Sequence, residues 1–515
     1  MHHAGASMSD RGVIGLVARA SRSAPAHWLI ILVVCALVYW PRLGVEGLRS
    51  TEGHRAIPGW EALETGRWMP TTMFEAVYVR KPPGMPWAIA AASSFFGETE
   101  FAARLPSAAS ATAMALVAFV FASRWFGRPW GLAAGLGQAL MPRFWSPGRT
   151  ADIEALLCVG VQIAAFAMIH VLVHRKSTTT RHAWGWAMVG AVGLVIALLA
   201  KAHAGLPVVA GVLIGACIVK RSAAPLANPA AWGAVLLALL AVSPVAWAQL
   251  HAMRSEAAVS EDFSKFLWDG GRFVKWLIMP FAAWGSGLPA SLAVLFPWGR
   301  DARRECEGAP TDLRPRMFGV ARCLALGFVM AVGVYALAGV TNERYVMPAL
   351  ALLPPLVAYA GRGCAEFFTP KRARIARWMM LGAPAALPAL LLAGAGVFIA
   401  RLEPHDARSS AREPGLSLAS SLPDGCVLWA DAWVNAKPEL LWYASKRASS
   451  EGRDVRPIWK RREIAAAVLP EIGTMLLLKD GEIERYRAAG HAGRLELITQ
   501  GAADGTPFSL FLVRP

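Results

Sequence analysis

Residues 153–173 read IEALLCVGVQIAAFAMIHVLV. As one helix this run is long enough to cross the roughly 30 Å of hydrocarbon in a bilayer. Comparable apolar runs recur between residues 27 and 400, so the pattern predicts an all-α polytopic membrane fold with about eleven transmembrane helices. The predicted spans lie near residues 27–43, 106–126, 130–147, 153–173, 183–200, 204–219, 230–250, 276–298, 317–338, 345–361 and 376–400.

The composition of the 515-residue chain agrees with a membrane location. Hydrophobic residues make up 55% of the sequence and charged residues 17%, which is too apolar for an ordinary soluble protein. The formal net charge of +17 sits in short basic clusters between apolar runs, as in membrane-orienting loops, so no nucleic-acid partner is predicted. The seven cysteines form no spaced framework, so neither a disulfide scaffold nor a cysteine metal site is indicated.

The basic clusters predict the orientation of the chain, because Lys and Arg concentrate in cytoplasmic loops. They fall in alternate loops: Arg11, Arg19 and Arg22; Arg124 and Arg128; Arg175, Lys176 and Arg181; Lys220 and Arg221; Arg300 to Arg316; and Arg362 to Arg377. This predicts a cytoplasmic segment 1–26, a membrane domain 27–401 and, with an odd number of spans, an extracytoplasmic segment 402–515. An even number would place that last segment inside.

One apolar run, residues 84–97, is too short for a crossing and is more typical of an interfacial helix. We therefore predict that residues 44–105 form one long outer loop with interfacial helices. Trp60, Trp68 and Trp87 are its predicted membrane anchors.

Charged residues return after residue 402, and short strand-like runs appear at 426–433, 474–479, 495–499 and 508–513. This pattern predicts a small C-terminal α/β domain. Residues 409–421 are predicted to be a linker.

Ionisable residues cluster at the outer ends of the predicted spans, where charged groups indicate function. They are Glu52, His54, Arg55, Arg80, Lys81, Arg149, Asp152, Lys201, His203, Arg344 and Tyr345. Several cations beside a few acids would suit a phosphate-bearing lipid whose tail stays in the bilayer.

Short motifs in this outer-face set carry a family resemblance. They are Thr51-Glu52-Gly53-His54-Arg55, Glu64-Thr65-Gly66-Arg67-Trp68, Tyr78-Val79-Arg80-Lys81-Pro82-Pro83-Gly84, Ala103-Arg104-Leu105-Pro106-Ser107, Arg149 with Asp152, Lys201, and Arg344-Tyr345-Val346-Met347-Pro348. Their order resembles the ArnT and protein O-mannosyltransferase group of GT-C glycosyltransferases over roughly residues 27–360. Each motif is weak alone, and the combined order is more specific.

The resemblance implies a bacterial inner-membrane enzyme that transfers a sugar, with inversion, from a polyprenyl-phosphate donor to a lipid, glycan or protein hydroxyl. It implies Glu52 as the base and Asp152 as a second acid. Arg80, Lys81 and Arg344 would bind the departing phosphate, and Tyr345 would donate a hydrogen bond to it. His54, Arg55, Arg149, Lys201 and His203 are further outer-face candidates.

The chain departs from the family pattern at two positions. Thr51 stands where members carry the Asp usually assigned as the base, so Glu52 would have to substitute for it. Arg80 stands where ArnT-like members carry a metal-binding Glu. Because a cation there repels a metal ion and can pair with phosphate, we predict a metal-independent site without a cofactor, although a divalent metal is not excluded.

Several structural or non-enzymatic alternatives remain open at the level of sequence. Glu52 could be a solvated loop acid, Arg149 and Asp152 an i, i+3 ion pair, and Lys201 and His203 snorkelling side chains. A lipid-linked-sugar flippase would also need many spans and basic residues, but it favours charged groups at mid-membrane. A non-catalytic, glycan-binding relative would account for the missing Asp.

Overall fold

The computed structural model describes residues 24–49, 51–174, 180–255, 314–338, 343–367, 411–430, 437–458, 469–503 and 506–515, with short pieces at 280–298 and 393–397. Its helices are α1 (Ala24–Tyr39), α2 (Gly53–Thr65), α3 (Gly84–Phe96), α4 (Glu100–Phe126), α5 (Arg128–Ala139), α6 (Ile153–Ile169), α7 (Thr180–Lys201), α8 (Leu206–Lys220), α9 (Pro229–Ser255), α10 (Arg314–Leu337), α11 (Met347–Leu350), α12 (Leu353–Phe367), α13 (Arg412–Ala419), α14 (Pro438–Ser450) and α15 (Asp480–Ala488). Its strands are β1 (Thr72–Met73), β2 (Ala76–Val77), β3 (Cys426–Ala430), β4 (Val455–Ile458), β5 (Met475–Lys479), β6 (Leu495–Ala503) and β7 (Thr506–Val513).

Within the described residues, five helical segments are long and apolar enough to cross a membrane. They are Glu100–Phe126, Ile153–Val173, Arg181–Lys220, Pro229–Ala252 and Arg316–Leu337, and a shorter apolar helix covers Pro25–Tyr39. The chain is therefore a multi-pass membrane protein, and the count of eleven spans stays a prediction. The predicted span 376–400 and the cytoplasmic segment 1–26 lie largely outside the described residues. In the predicted span 276–298, the described residues include two short 3₁₀ turns, Ala290–Val294 and Phe296–Trp298.

Prolines explain where the helices differ from the predicted spans. The run 130–147 contains only the twelve-residue helix α5, followed by a 3₁₀ turn at Pro142–Phe144. The residue before a proline is disfavoured in helical conformation, and Met141 is extended. By contrast, the 40-residue segment Arg181–Lys220 divides as predicted: a 3₁₀ turn at Ala202–Gly205 separates α7 from α8, between the predicted spans 183–200 and 204–219.

Helix α6 is the most buried of the five segments. It approaches α7 closely through two glycines: a Cβ added at Gly160 would lie 2.7 Å from the backbone nitrogen of Ala197, and one at Gly193 would lie 2.6 Å from the Gly160 carbonyl oxygen. Small residues allow such contact between membrane helices. A buried amide on α6 also links this helix to α5 and to the residue after α11. Gln162 donates to Gln138 at 3.1 Å and to the Ala351 carbonyl at 3.0 Å.

Residues 44–105, the predicted first outer loop, contain α2, a short β1–β2 hairpin and α3. Helix α3 has thirteen residues, which agrees with its exclusion as a span. It packs on α2, where Trp60 donates from Nε1 to the Ser93 hydroxyl at 2.9 Å. Trp60 is buried, so its prediction as a membrane anchor is wrong: its ring stacks on Trp442, with centroids 4.4 Å apart.

The C-terminal segment contains a mixed five-stranded sheet in the order β4-β3-β5-β7-β6. Strand β3 is parallel to β4 and β5, whereas β7 is antiparallel to β5 and β6. Strands β3, β5, β6 and β7 fall on the four predicted runs, whereas β4 at Val455–Ile458 was not predicted. The linker prediction is wrong over its described part, because α13 buries Leu418 and packs against α14, where a Cβ on Gly415 would lie 2.6 Å from the Tyr443 Cβ.

This segment shares a hydrophobic core with the first outer loop. The shared core includes Ile57 and Met85 of the loop together with Leu440 and Leu477 of the tail. At its edge, the Leu48 amide donates to the Tyr443 hydroxyl at 2.6 Å. The tail therefore rests on the loop that carries most of the predicted site residues.

Candidate active site

Glu52 and Arg104 form a buried ion pair at the base of the outer loop. Arg104 donates from Nε to Glu52 Oε1 and from Nη2 to Oε2, each at 2.8 Å. The same guanidinium donates to the carbonyl oxygens of Leu43, Glu46 and Gly47, each also at 2.8 Å. A single side chain from α4 therefore fixes the chain that enters α2.

Glu52 receives two more hydrogen bonds, from the backbone amides of Ala151 at 2.7 Å and Arg49 at 3.0 Å. Burial opposes its ionisation, but the charge and hydrogen bonds of Arg104 outweigh that effect and lower the pKa of Glu52. A buried carboxylate with four donors is a poor proton acceptor. The assignment of Glu52 as the base therefore does not fit its environment, and neither does a solvated loop acid.

Arg149 also has a structural position. It donates to the carbonyl oxygens of Val38 at 3.2 Å and Pro41 at 2.7 Å, so the i, i+3 ion pair with Asp152 is not formed. Burial lowers the pKa of Arg149 to about 10, which still leaves it charged at neutral pH. Arg149 ties the loop before α6 to the end of α1.

Asp152 caps the amino terminus of α6 and lies at the edge of the site. Its Oδ1 accepts from the Ile153 amide at 2.8 Å, and its Oδ2 accepts from Arg344 Nη1 at 3.1 Å. The Arg344 side chain is about half exposed, at 49%. Burial, followed by the charge of Glu154 and a hydrogen bond shared with it, raises the pKa of Asp152 to about 7.

Glu154 is a site residue that the sequence reasoning missed. Its Oε1 lies 3.2 Å from Lys201 Nζ, and both side chains are buried. The Lys201 ammonium also lies over the Tyr345 ring, 4.3 Å from its centroid. The available signal was a second acid two residues after Asp152 inside an otherwise apolar run, since a charge there needs a partner.

The motif around Arg80 and Lys81 approaches the same region from the outer loop. Arg55 donates to the Tyr78 hydroxyl at 3.0 Å, and Arg55 is close enough to Asp152 to stabilise its charge. Gln249 of α9 donates to the Lys81 carbonyl at 2.9 Å.

Helix α3, which follows this motif, begins against the end of α7. A Cβ added at Gly84 would lie 2.6 Å from the Leu199 carbonyl oxygen, two residues before Lys201. His203 interacts with the charges of both Lys81 and Lys201. His54 packs beside Tyr78, with ring centroids 6.0 Å apart.

The structure thus separates the predicted residues into two groups. Glu52 and Arg149 bind backbone groups, whereas one cluster contains Arg55, Lys81, Asp152, Lys201, His203, Arg344 and Tyr345, together with Glu154. The two remaining predicted residues belong to neither group: His54 packs beside Tyr78, and Arg80 is exposed. In the described parts of the chain, no three His, Cys, Asp or Glu side chains converge as a metal site. The two acids of the cluster instead pair with Arg344 and Lys201.

Sequence comparison shows that the part of the chain carrying much of this site is similar to a known family. The model of the dolichyl-phosphate-mannose-protein mannosyltransferase family matches residues 80–247. The matched part includes Lys81, Asp152, Glu154 and Lys201. No curated protein sequence matches the chain.

Solved structures extend the likeness to the whole fold. ArnT from Cupriavidus metallidurans bound to undecaprenyl phosphate has a TM-score of 0.66 and 16% identity, over 95% of this chain and 98% of that chain. The apo form of the same protein has a TM-score of 0.61 and 17% identity over the same shares. The oligosaccharyltransferase AglB from Archaeoglobus fulgidus, in complex with an inhibitory peptide and a dolichol-phosphate, has a TM-score of 0.51 and 11% identity, over 86% of this chain and 65% of that chain.

The predicted resemblance is thereby confirmed. By sequence over residues 80–247 and by fold over almost its whole length, the chain is similar to the ArnT and protein O-mannosyltransferase group of GT-C glycosyltransferases.

Proposed function

We propose that this protein is a membrane glycosyltransferase that moves a sugar from a polyprenyl-phosphate donor to a hydroxyl on a lipid, glycan or protein. The observation that carries the proposal is the Asp152–Arg344 pair, 3.1 Å apart, at the edge of a cluster rich in cations. A proton acceptor beside phosphate-binding cations is what such a transfer requires. The likeness to ArnT, whose structure contains undecaprenyl phosphate, supports a lipid-phosphate donor.

In the proposed reaction, Asp152 takes the proton of the acceptor hydroxyl. The hydroxyl oxygen attacks the anomeric carbon from the side opposite the phosphate, and the bond from that carbon to the phosphate oxygen breaks. The departing phosphate keeps the electron pair, and the sugar configuration inverts. Because the pKa of Asp152 is raised to about 7, its carboxylate is a stronger base than an ordinary Asp and is still substantially ionised at neutral pH.

The departing phosphate is assigned to Arg80, Lys81, Arg344 and Tyr345. A guanidinium carries five N–H groups in a planar fork, so Arg344 can hold a carboxylate and a phosphate oxygen together. The Tyr345 hydroxyl donates a further hydrogen bond. Glu52 is a positioning residue here, because it holds the Ala151 amide 2.7 Å away, next to Asp152.

The residues present do not fit a resident divalent metal, and we propose a metal-independent reaction. Asp152 and Glu154 are the two carboxylates of the cluster, and each is paired with a cation. Arg80 adds a further positive charge where ArnT-like sequences carry an acid. A second positive ion would be repelled by these side chains unless one of them moved.

The proposed location is the outer face of a bacterial inner membrane, with the N-terminus inside and residues 402–515 outside. The alternating basic loops support this orientation. Eleven spans and a small C-terminal α/β domain belong to the same proposal. The tail contacts the loop that carries the site, which supports a location of both on the same side of the membrane.

Sugar transfer by the purified protein in liposomes tests the proposal. The liposomes contain a panel of labelled polyprenyl-phosphate sugars, and wild type is compared with Asp152→Asn, with Glu482→Gln as an acid control on the tail, and with added chelator. We expect donor consumption by wild type and by the control, loss in Asp152→Asn, and no effect of chelator. Movement of intact donor between leaflets would indicate a flippase, and binding without either activity a non-catalytic relative.

A further inference from the structure

Lys201 occupies a position that neither membrane snorkelling nor phosphate binding explains. Its side chain is only 8% exposed, and it ends α7 with φ −154° and ψ 44°, outside helical values. The turn that follows is pressed onto α6, because a Cβ added at Gly205 would lie 2.3 Å from Val161 Cγ2. The break in the 40-residue apolar segment therefore directs Lys201 inward, toward α6.

In this position Lys201 contacts cluster residues from two different parts of the chain. On one side Nζ lies 3.2 Å from Glu154 Oε1 on α6. On the other side it lies 4.3 Å from the centroid of the Tyr345 ring, next to Arg344. The Tyr335 ring packs against Tyr345 with centroids 5.6 Å apart, and the Tyr335 hydroxyl donates to the Ala204 carbonyl in the turn after Lys201.

The charge of Glu154 gives this contact its importance. Asp152 and Glu154 are buried two residues apart, and two neighbouring carboxylates cannot both ionise easily. A cation paired with Glu154 favours the ionised form of that acid, so Asp152 is the one of the two that takes up a proton. The charged groups around the pair are Lys201, Arg344 and Arg55.

We infer that the Lys201–Glu154 pair is a positioning device: it holds Glu154 charged beneath Asp152 and fixes Tyr345, and with it Arg344, beside that acid. Neither residue needs to touch substrate for this role. The inference rests on the proposed function for its effect on the reaction. The physical link between the two residues can be tested without that reaction.

A double-mutant cycle on Lys201→Met and Glu154→Gln measures this link through thermal unfolding of the purified protein in detergent. Each single variant leaves a buried charge or dipole without its partner, so we expect each to lower the Tm. We expect the decrease in Tm of the double variant to be clearly smaller than the sum of the decreases in the two single variants. Lys220→Met removes an exposed lysine at the end of α8 and is expected to leave the Tm unchanged. Additive losses would overturn the inference even if no donor is ever identified.

Sugar-transfer kinetics then separate positioning from direct binding. We expect Lys201→Met to lower kcat about tenfold or more, as partners of a functional group do, with little change in the KM for donor and a shifted pH profile. Lys201→Arg and the double variant should recover part of kcat. A raised donor KM that the double variant does not recover would instead make Lys201 a phosphate ligand and overturn the positioning role. Absence of transfer by wild type would count against the proposed function alone, because the unfolding cycle stands independently.

Discussion

Arg104 and Glu52 meet through two parallel hydrogen bonds of 2.8 Å, although 51 residues separate them in the chain. Both side chains are almost completely buried. The pair joins the first outer loop to the end of a membrane helix. Its two residues belong to motifs that resemble those of glycosyltransferases, but their contacts indicate a structural role, which is to attach the loop to the helix.

Replacing Arg104 with Leu should therefore destabilise the protein severely. It leaves the Glu52 carboxylate buried without its cation, and loss of one partner of a buried pair costs roughly 3–5 kcal/mol. Glu52→Gln keeps an acceptor and should cost less. Thermal unfolding in detergent measures both. If Glu52→Gln abolished sugar transfer while the Tm stayed at the wild-type value, Glu52 would be a base after all.

The pH dependence of transfer should identify Asp152. Its raised pKa of about 7 means that the carboxylate fraction grows as the pH rises through 7. Since the ionised form is the proton acceptor, kcat/KM should increase between about pH 6 and pH 8 and then level off. Asp152→Asn should lose about 100-fold or more in kcat. A flat profile through neutral pH would contradict this role.

The lengths and local patterns of the apolar runs in the sequence predicted much of the fold. The long apolar segments, the exclusion of residues 84–97 and the strand runs of the tail all depend on local patterns, which the structure reproduces. Helix ends were less accurate, because prolines such as Pro142 divide apolar runs that hydropathy treats as continuous.

Pairings between distant residues could not be predicted in the same way. The partner of Glu154 is Lys201, on a different helix, and nothing local indicates which helices become neighbours. Trp60 has an interfacial pattern in sequence, but the tail covers it. The candidate residues were therefore found largely by their ionisable character, while their roles depend on contacts formed only on folding.

The close contact of α6 and α7 predicts that an alanine is destabilising at Gly160 but tolerated at Gly333. A Cβ at Gly160 would lie 2.7 Å from both Ala197 N and Gly193 O, whereas a Cβ at Gly333 in α10 meets nothing within 4 Å. Gly160→Ala should therefore force the helices apart and cost about 1–3 kcal/mol. Gly333→Ala should be neutral or stabilising by up to about 1 kcal/mol. Thermal unfolding of the two variants side by side provides the comparison, and equal Tm values would show that α6 and α7 do not pack this closely.

The attachment of the tail to the outer loop predicts the effect of Trp442→Ala. The stack on Trp60, at 4.4 Å between centroids, contributes about 0.5–1.5 kcal/mol beyond the burial of its area. Its loss should loosen the tail from α2, so limited proteolysis should release residues of the tail sooner than in wild type. Trp60→Ala should act similarly, since each ring is the other's partner. Trp247→Ala is the control, because that ring is 72% exposed on α9. Protease resistance equal to wild type in both stacking variants would mean that other contacts hold the tail, with Lys446 and its pairing to Glu64 and Glu98 the next to test.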